Sequence, residues 1–183
     1  MHQINGEDGR IFDDMRVFTE LWARELPGAD PQLFGAIGSI LRLAAMLEAE
    51  FRSYTQSKFD MGTGDMRILL ALRRAGPPFA MRPTDLFQSL LITSGAVTKQ
   101  VERLTRRGLV DRIPVEQRRR SWQIHLTEQG RALTDDVLVA IQSQFQIGHA
   151  FRSLPEPERR AGIAFMAAMI ARFDATAEDT AFK

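Results

Sequence analysis

The stretch Thr93-Ser-Gly-Ala-Val-Thr-Lys-Gln-Val-Glu-Arg-Leu-Thr-Arg-Arg-Gly108 predicts a short helix with two different faces. Thr93 can accept hydrogen bonds from free N–H groups of the first turn, as a helix N-cap does. Val97, Val101 and Leu104 are spaced four and three residues apart, which places them on one apolar face. Gly108 stands where helices often end in a left-handed residue. The opposite face carries hydroxyl and charged side chains: Ser94, Thr98, Lys99, Glu102, Arg103 and Arg106.

After Gly108 the pattern changes to a period of two, which predicts a pair of strands. Residues 109–113 suit the first strand, and residues 122–126 alternate apolar and polar side chains in the second. The polar segment between them would form a hairpin tip, and it carries Arg118, Arg119 and Arg120. A helix with a cationic outer face fits a DNA major groove, and arginines at a hairpin tip can reach phosphates or a narrow minor groove. This arrangement favours duplex DNA as the partner.

The positive charge of the chain is local, because the net charge of all 183 residues is only +1. Residues 99–120 contain eight Lys or Arg and three acids, so that eight minus three leaves a segment charge of +5. On an isolated helix such a run is about as often a solvated face as a binding surface. Here it spans two elements that are both expected to face outward, which favours a binding surface.

The composition excludes several other classes of protein. Apolar residues make up 44% of the chain, enough for one substantial domain with an added helical layer. The absence of cysteine excludes disulfides and cysteine-based zinc sites, and the three histidines lack metal-ligand spacing. Neither a catalytic triad spacing nor a glycine-rich phosphate loop occurs, so we expect no enzyme, no cofactor and no metal. We see no signal peptide and no apolar stretch of 18 residues, and we therefore expect a cytoplasmic protein.

Apolar periodicity predicts further helices on both sides of the central stretch. Before it, the expected elements are helices over residues 12–26, 33–58 and 65–75, a loop over 60–64, and a helix from Pro83 to Leu91. After it, Thr127 would cap a helix reaching about Gly148, and Ser153-Leu-Pro-Glu156 would be a capping box that starts the last helix. We assign residues 1–58 and 128–183 to a helical dimerisation region and residues 59–127 to a DNA-binding domain.

The central stretch resembles the winged helix-turn-helix of the MarR family of bacterial transcription regulators. The matching segments are Ser94-Gly-Ala-Val-Thr98, Val101-Glu-Arg-Leu104, Arg107-Gly-Leu-Val-Asp-Arg112 and Leu126-Thr-Glu-Gln-Gly130. The resemblance implies a mainly α fold with a small antiparallel β-wing and a helical dimerisation layer. It also implies a homodimer that binds a pseudo-palindromic operator, typically as a ligand-responsive repressor.

The resemblance assigns DNA contacts to the helix and the wing. Lys99 and Arg103 match positions that contact bases or the nearby backbone, although contact with phosphates alone is the alternative. Thr93, Ser94 and Thr98 lie near the helix start, where their hydroxyls can bond to DNA or act in local capping. The family wing has an Asp-x-Arg pattern, and here Arg118 replaces the acid while Arg120 keeps the minor-groove arginine. Together with Arg119, this change predicts a wing whose DNA contacts are more electrostatic than is usual.

An effector pocket is a further expectation from the urate-responsive subgroup, which has an added N-terminal helix. The pocket positions of that subgroup correspond to Trp22, Arg67, Gln100 and Arg112. Because Arg67 replaces an Asp and Gln100 replaces an Arg, urate itself is disfavoured, and another anion such as an aromatic carboxylate fits better. The alternative is that Trp22 anchors the core and Arg112 joins a wing salt bridge.

Two other functions stay open from the sequence. The arginine-rich wing also suits an architectural DNA binder that has little sequence preference. A winged-helix module that binds other proteins without binding DNA is the second alternative.

Overall fold

The structure, a computed structural model, describes residues 15–26, 28, 30–114 and 122–181. The chain divides into two compact units, residues 1–63 and 64–183, and each is described by itself.

The first unit consists of helices α1 (Met15–Glu25) and α2 (Pro31–Phe59). The Asp30 carboxylate caps α2 by accepting from the N–H groups of Gln32 and Leu33 at 2.9 and 3.3 Å. Trp22 of α1 stacks on Phe34 of α2, with ring centroids 5.0 Å apart. Both helices were predicted; residues 12–14 of the first lie outside the described residues, and the second begins two residues earlier than expected.

Helix α2 presents much of its apolar surface to solvent. Its exposed large apolar side chains have 40–66% of their surface accessible: Leu33, Ile37, Ile40, Leu41, Leu43, Met46 and Leu47. An 18-residue window of this helix has a mean hydropathy of 1.3, so by length and composition alone it could cross a membrane. The prediction that no such stretch exists is wrong for this window. A single helix of this kind is weak support for a membrane span, because the core helices of soluble proteins and signal sequences near the N-terminus also pass this test.

The second unit is built around α3 (Thr63–Arg74), α4 (Pro83–Leu90) and α5 (Ser94–Arg106). A three-stranded antiparallel sheet follows in the order β1-β3-β2, formed by Ala80–Met81, Trp122–Leu126 and Val110–Pro114. Helices α6 (Glu128–Ser143), α7 (Gln146–Ser153) and α8 (Glu156–Ala181) complete the unit. The predicted fold class, mainly helical with a small antiparallel sheet, is confirmed.

The core of this unit lies between α3, the two helices that follow it, and the sheet. The fully buried side chains of α3 are Met66, Ile68, Leu69 and Leu72. They are joined by the apolar face predicted for α5, since Val97, Val101 and Leu104 are at most 1% exposed. This burial is what turns the opposite, polar face of α5 outward.

Three predicted element boundaries are wrong. The helix expected to reach Gly148 ends at Ser143, because the chain turns extended at Phe145 and buries that ring to 2% exposure. The capping box expected at Ser153 does not form, because the Ser153 hydroxyl donates to the carbonyl of Ala150 at 2.7 Å and closes α7 instead. The loop expected over residues 60–64 is shorter, because α3 already begins at Thr63.

Candidate nucleic-acid interface

Helix α5 is fixed at both ends by the residues that the sequence singled out. The Thr93 hydroxyl oxygen accepts from the N–H of Ala96 at 3.2 Å, so Thr93 is the N-cap as predicted. At the other end, Gly108 has a φ of +69°, a left-handed conformation that favours glycine. Between these limits the 13 residues of α5 make a helix about 20 Å long.

The polar face of α5 is open to solvent. Ser94, Thr98, Lys99 and Arg106 are all exposed. The Thr98 hydroxyl donates its proton to the backbone carbonyl of Ser94 at 3.0 Å. The hydroxyl oxygen can therefore still accept a hydrogen bond from a partner. Lys99 and Arg106 are seven residues apart, close to two helical turns, and therefore lie on the same side of the helix. Hydroxyl and cationic groups thus share one accessible surface.

Arg103 differs from the other cations of α5 because it is bound to a carboxylate of α3. Its Nε donates to Asp65 Oδ2 at 3.0 Å, and its Nη2 donates to Asp65 Oδ1 at 2.6 Å. The Asp65 side chain is 8% exposed, whereas that of Arg103 is 48% exposed. The hydrogen bond to Asp65 raises the pKa of the Arg103 guanidinium, whereas partial burial lowers this pKa and the charge of Asp65 raises it. This pair was not predicted from the sequence, in which its members are 38 residues apart.

The base of the wing is well defined. Strands β2 and β3 pair in register from Val110 opposite Leu126 to Pro114 opposite Trp122. The tip residues Arg118, Arg119 and Arg120 lie outside the described residues.

Arg112 of β2 connects the base of the wing to α5. Its guanidinium lies 4.6 Å from the centroid of the Trp122 ring and 4.0 Å from a carboxylate oxygen of Glu102. Arg106 Nε donates to the backbone carbonyl of Glu102 at 3.4 Å. Arg112 therefore makes the salt bridge at the wing that was the alternative to a role in the pocket.

A single threonine joins the end of α5, the wing and α6. The Thr127 hydroxyl accepts from the N–H of Gly130 at 3.0 Å, as predicted for the N-cap of α6. It also donates to the carbonyl of Gly108 at 2.8 Å, a contact that the sequence did not indicate. At Gly130 an added Cβ would collide with the backbone carbonyl of Leu109. The α5 C-terminus and the α6 N-terminus are thus held in close backbone contact.

The three residues predicted for an effector pocket are divided between the two units. Trp22 belongs to the first unit, where it packs on Phe34 and, edge-on, on Phe18. In the second unit Arg67 lines an open groove of about 830 Å³ with Arg73, Arg74 and the leucines Leu70, Leu90, Leu91 and Leu138. Arg112 lines a different groove, beside Glu102 and Arg106. Among the residues that the structure describes, no group of three His, Cys, Asp or Glu side chains could hold a metal ion.

Comparison with known proteins places this architecture in a family. The family model described as "MarR family" matches residues 59–121. The HTH-type transcriptional regulator PecS of Dickeya dadantii (strain 3937) is 32% identical over 117 residues, which cover 64% of this chain and 70% of that protein.

Two solved structures show the same fold. A MarR-family transcriptional regulator from Silicibacter pomeroyi has a TM-score of 0.65 at 23% identity, over 75% of this chain and 88% of that one. A mutant of MarR from E. coli, complexed with operator DNA, has a TM-score of 0.58 at 19% identity, over 82% and 97% of the two chains. The relatives named here are transcription regulators, and none of them is named as an enzyme. The chain belongs to the MarR family and is a DNA-binding transcription regulator with a winged helix-turn-helix fold.

Proposed function

We propose that the protein is a cytoplasmic homodimer that represses transcription by binding a pseudo-palindromic operator, with α5 of each subunit in a major groove. The observation that carries this proposal is the accessible face of α5, where hydroxyl and cationic side chains stand beside the paired strands of the wing. A major groove about 12 Å wide accepts one such helix, and half-sites one helical turn apart would lie roughly 34 Å from each other.

The proposed DNA contacts follow from exposure and chemistry. Lys99 is exposed on the outer face of α5 and is the cation best placed to reach a phosphate or a guanine edge. Thr93, Ser94 and Thr98 lie at the helix N-terminus, where hydroxyls and the helix dipole both favour phosphate. Arg103 adds a further cation on the flank that faces α3. The tip residues Arg118, Arg119 and Arg120 complete the proposed interface through the wing.

Dimerisation is supported by helices that bury too little of their apolar surface within one chain. Between residues 156 and 175, α8 has no buried side chain, although six large apolar residues lie on it with 43–77% of their surface exposed: Ile163, Phe165, Met166, Met169, Ile170 and Phe173. Helix α2 presents a comparable apolar surface in the other unit. Contiguous apolar surface of this size marks an interaction site, and a helix with no buried face gains no stability from packing. A second copy of the chain would cover both.

Charge reversal of Lys99 tests DNA binding. The probe is the duplex that the wild-type protein selects from a pool with a randomised core, and Lys58→Glu in α2 is the matched charge-reversal control. We expect Lys99→Glu to weaken binding at least 100-fold, and to reduce the slope of log K against log salt by about 0.9 for every phosphate that the protein no longer neutralises. Failure of the wild-type protein to select any duplex would favour the protein-interaction alternative, whereas unchanged binding by Lys99→Glu would place Lys99 outside the interface. Equal competition by unrelated duplexes at fixed salt would favour the architectural alternative.

Ligand response is the finer part of the proposal. The open groove at Arg67 combines guanidinium groups with leucine side chains, a chemistry that suits an aromatic carboxylate. Trp22 and Arg112 remain proposed contributors, although their described contacts are with Phe34 and with Trp122 and Glu102. Because the chain has two tryptophans, a Trp122→Phe variant isolates the Trp22 signal during titration with aromatic carboxylates. If millimolar ligand causes no quenching and releases no bound DNA, the proposed ligand response is refuted.

A further inference from the structure

The Asp65–Arg103 pair uses one edge of the arginine and leaves another edge available. A guanidinium has five N–H donors, of which Asp65 occupies the Nε donor and one of the two on Nη2. Three donors remain, two on Nη1 and one on Nη2. They form the end-on fork of the group, and nearly half of the Arg103 side chain is accessible to solvent.

The carboxylate that fixes this edge is itself held in place. Asp65 lies in the first turn of α3, directly before the fully buried Met66, and only 6% of the residue is exposed. Because two parallel hydrogen bonds fix the plane of a guanidinium as well as its position, Asp65 removes rotamer freedom from Arg103. A surface arginine without such a partner would be ordered only when it meets the ligand, and its rotamer entropy would then oppose binding.

We propose that Asp65 is a positioning residue for sequence recognition, which holds Arg103 so that its end-on fork is aimed at a base edge of the bound duplex. This inference rests on the proposed operator binding. Asp65 does not touch DNA, and its effect passes through Arg103. The fork geometry also explains why lysine could not replace Arg103, since an ammonium cannot be held by a carboxylate and still present two parallel donors.

The experiment compares Asp65→Asn with Asp135→Asn. The control removes the same charge from another Asp–Arg pair, in which Arg73 Nε of α3 donates to Asp135 Oδ1 at 2.8 Å. Each variant is measured with two duplexes at fixed salt: the one selected by the wild-type protein, and a scrambled duplex of the same composition. The measured quantity is the ratio of the two affinities, because a general loss of folded protein lowers both affinities and leaves their ratio unchanged.

We expect Asp65→Asn to lower this ratio at least 10-fold and Asp135→Asn to change it less than 2-fold. Arg103→Lys, which keeps a cation beside Asp65, is the second variant should Asp65→Asn fold poorly, and it should also lower the ratio at least 10-fold. Since the two residues act as one unit, the double variant should be no worse than either single variant.

If Asp65→Asn keeps the wild-type ratio of the two affinities, the role of Asp65 is refuted while operator binding stays intact. The same outcome in Arg103→Lys has this meaning if Asp65→Asn does not fold. Failure of the wild-type protein to select any duplex would instead overturn the proposed function, and the inference with it.

Discussion

Truncation of Ile170 should weaken the proposed dimer by an amount that its exposure predicts. Ile170 lies on α8 among the exposed apolar residues, and 62% of its surface is accessible in the single chain. Full burial of an isoleucine side chain is worth about 2.5 kcal/mol, so covering this exposed fraction would contribute about 1.5 kcal/mol per subunit. Two-fold symmetry counts the contact twice, which gives about 3 kcal/mol per dimer.

A loss of about 3 kcal/mol corresponds to a dissociation constant raised about 150-fold, since about 1.4 kcal/mol is a factor of ten. Sedimentation equilibrium of Ile170→Ala over a range of concentrations measures this constant directly. Arg172→Ala is the matched control, because Arg172 is two residues further along α8 and therefore about 200° around the helix from Ile170. We expect the control to dimerise within 3-fold of the wild-type constant.

Equal dissociation constants for Ile170→Ala and the wild-type protein would place Ile170 outside the dimer interface. A wild-type protein that sediments as a monomer at micromolar concentration would exclude the dimer, because α8 would then stay exposed in solution. Circular dichroism of each variant shows whether helix content is retained when the dimer weakens, which separates a weakened interface from unfolding.

Three stability predictions follow from contacts in the described residues. Thr127→Ala removes the cap of α6 and the bond to Gly108, and should lower the free energy of unfolding in urea by about 1–2 kcal/mol. Gly130→Ala drives a methyl group into the Leu109 carbonyl and should cost about 1–3 kcal/mol by the same assay, whereas Gly95→Ala, with open space around it, should be neutral or stabilising. Trp22→Ala removes the stacking on Phe34 and should cost about 2 kcal/mol, with no change in the affinity for DNA if Trp22 is a packing residue.

Sequence periodicity was sufficient where burial depends on neighbours in the chain. The four-and-three spacing of Val97, Val101 and Leu104 identified the buried face of α5, and all three residues are buried. Capping is equally local, so Thr93 and Thr127 could be identified as N-caps from their positions alone. The buried face of α5 and its N-cap determine which face of that helix is exposed. The location of the candidate interface could therefore be predicted from the sequence.

Periodicity failed where distant residues decide. The apolar spacing continues through Ile141 and Phe145, so the sequence predicts an unbroken helix there. The chain instead leaves the helix at Gln144 because the core takes up the Phe145 ring. Similarly, Ser153 and Glu156 have the spacing of a capping box, but the Ser153 hydroxyl donates to the carbonyl of Ala150 in the preceding turn. Local propensity is a weak contribution, and tertiary burial overrides it.

The same limit applies to the charge of the proposed interface. A count over residues 99–120 gives +5, but it omits Asp65, which lies in α3 and neutralises Arg103 at hydrogen-bonding distance. Adding that one carboxylate leaves +4, and the Arg112 guanidinium is engaged by Glu102 and Trp122 at the base of the wing. Within the described residues, Lys99 and Arg106 are then the α5 cations without a carboxylate partner. A phosphate backbone responds to the charges that remain unpaired, so we expect Lys99 and Arg106 to supply the non-specific attraction from α5, while the paired Arg103 is better suited to selectivity.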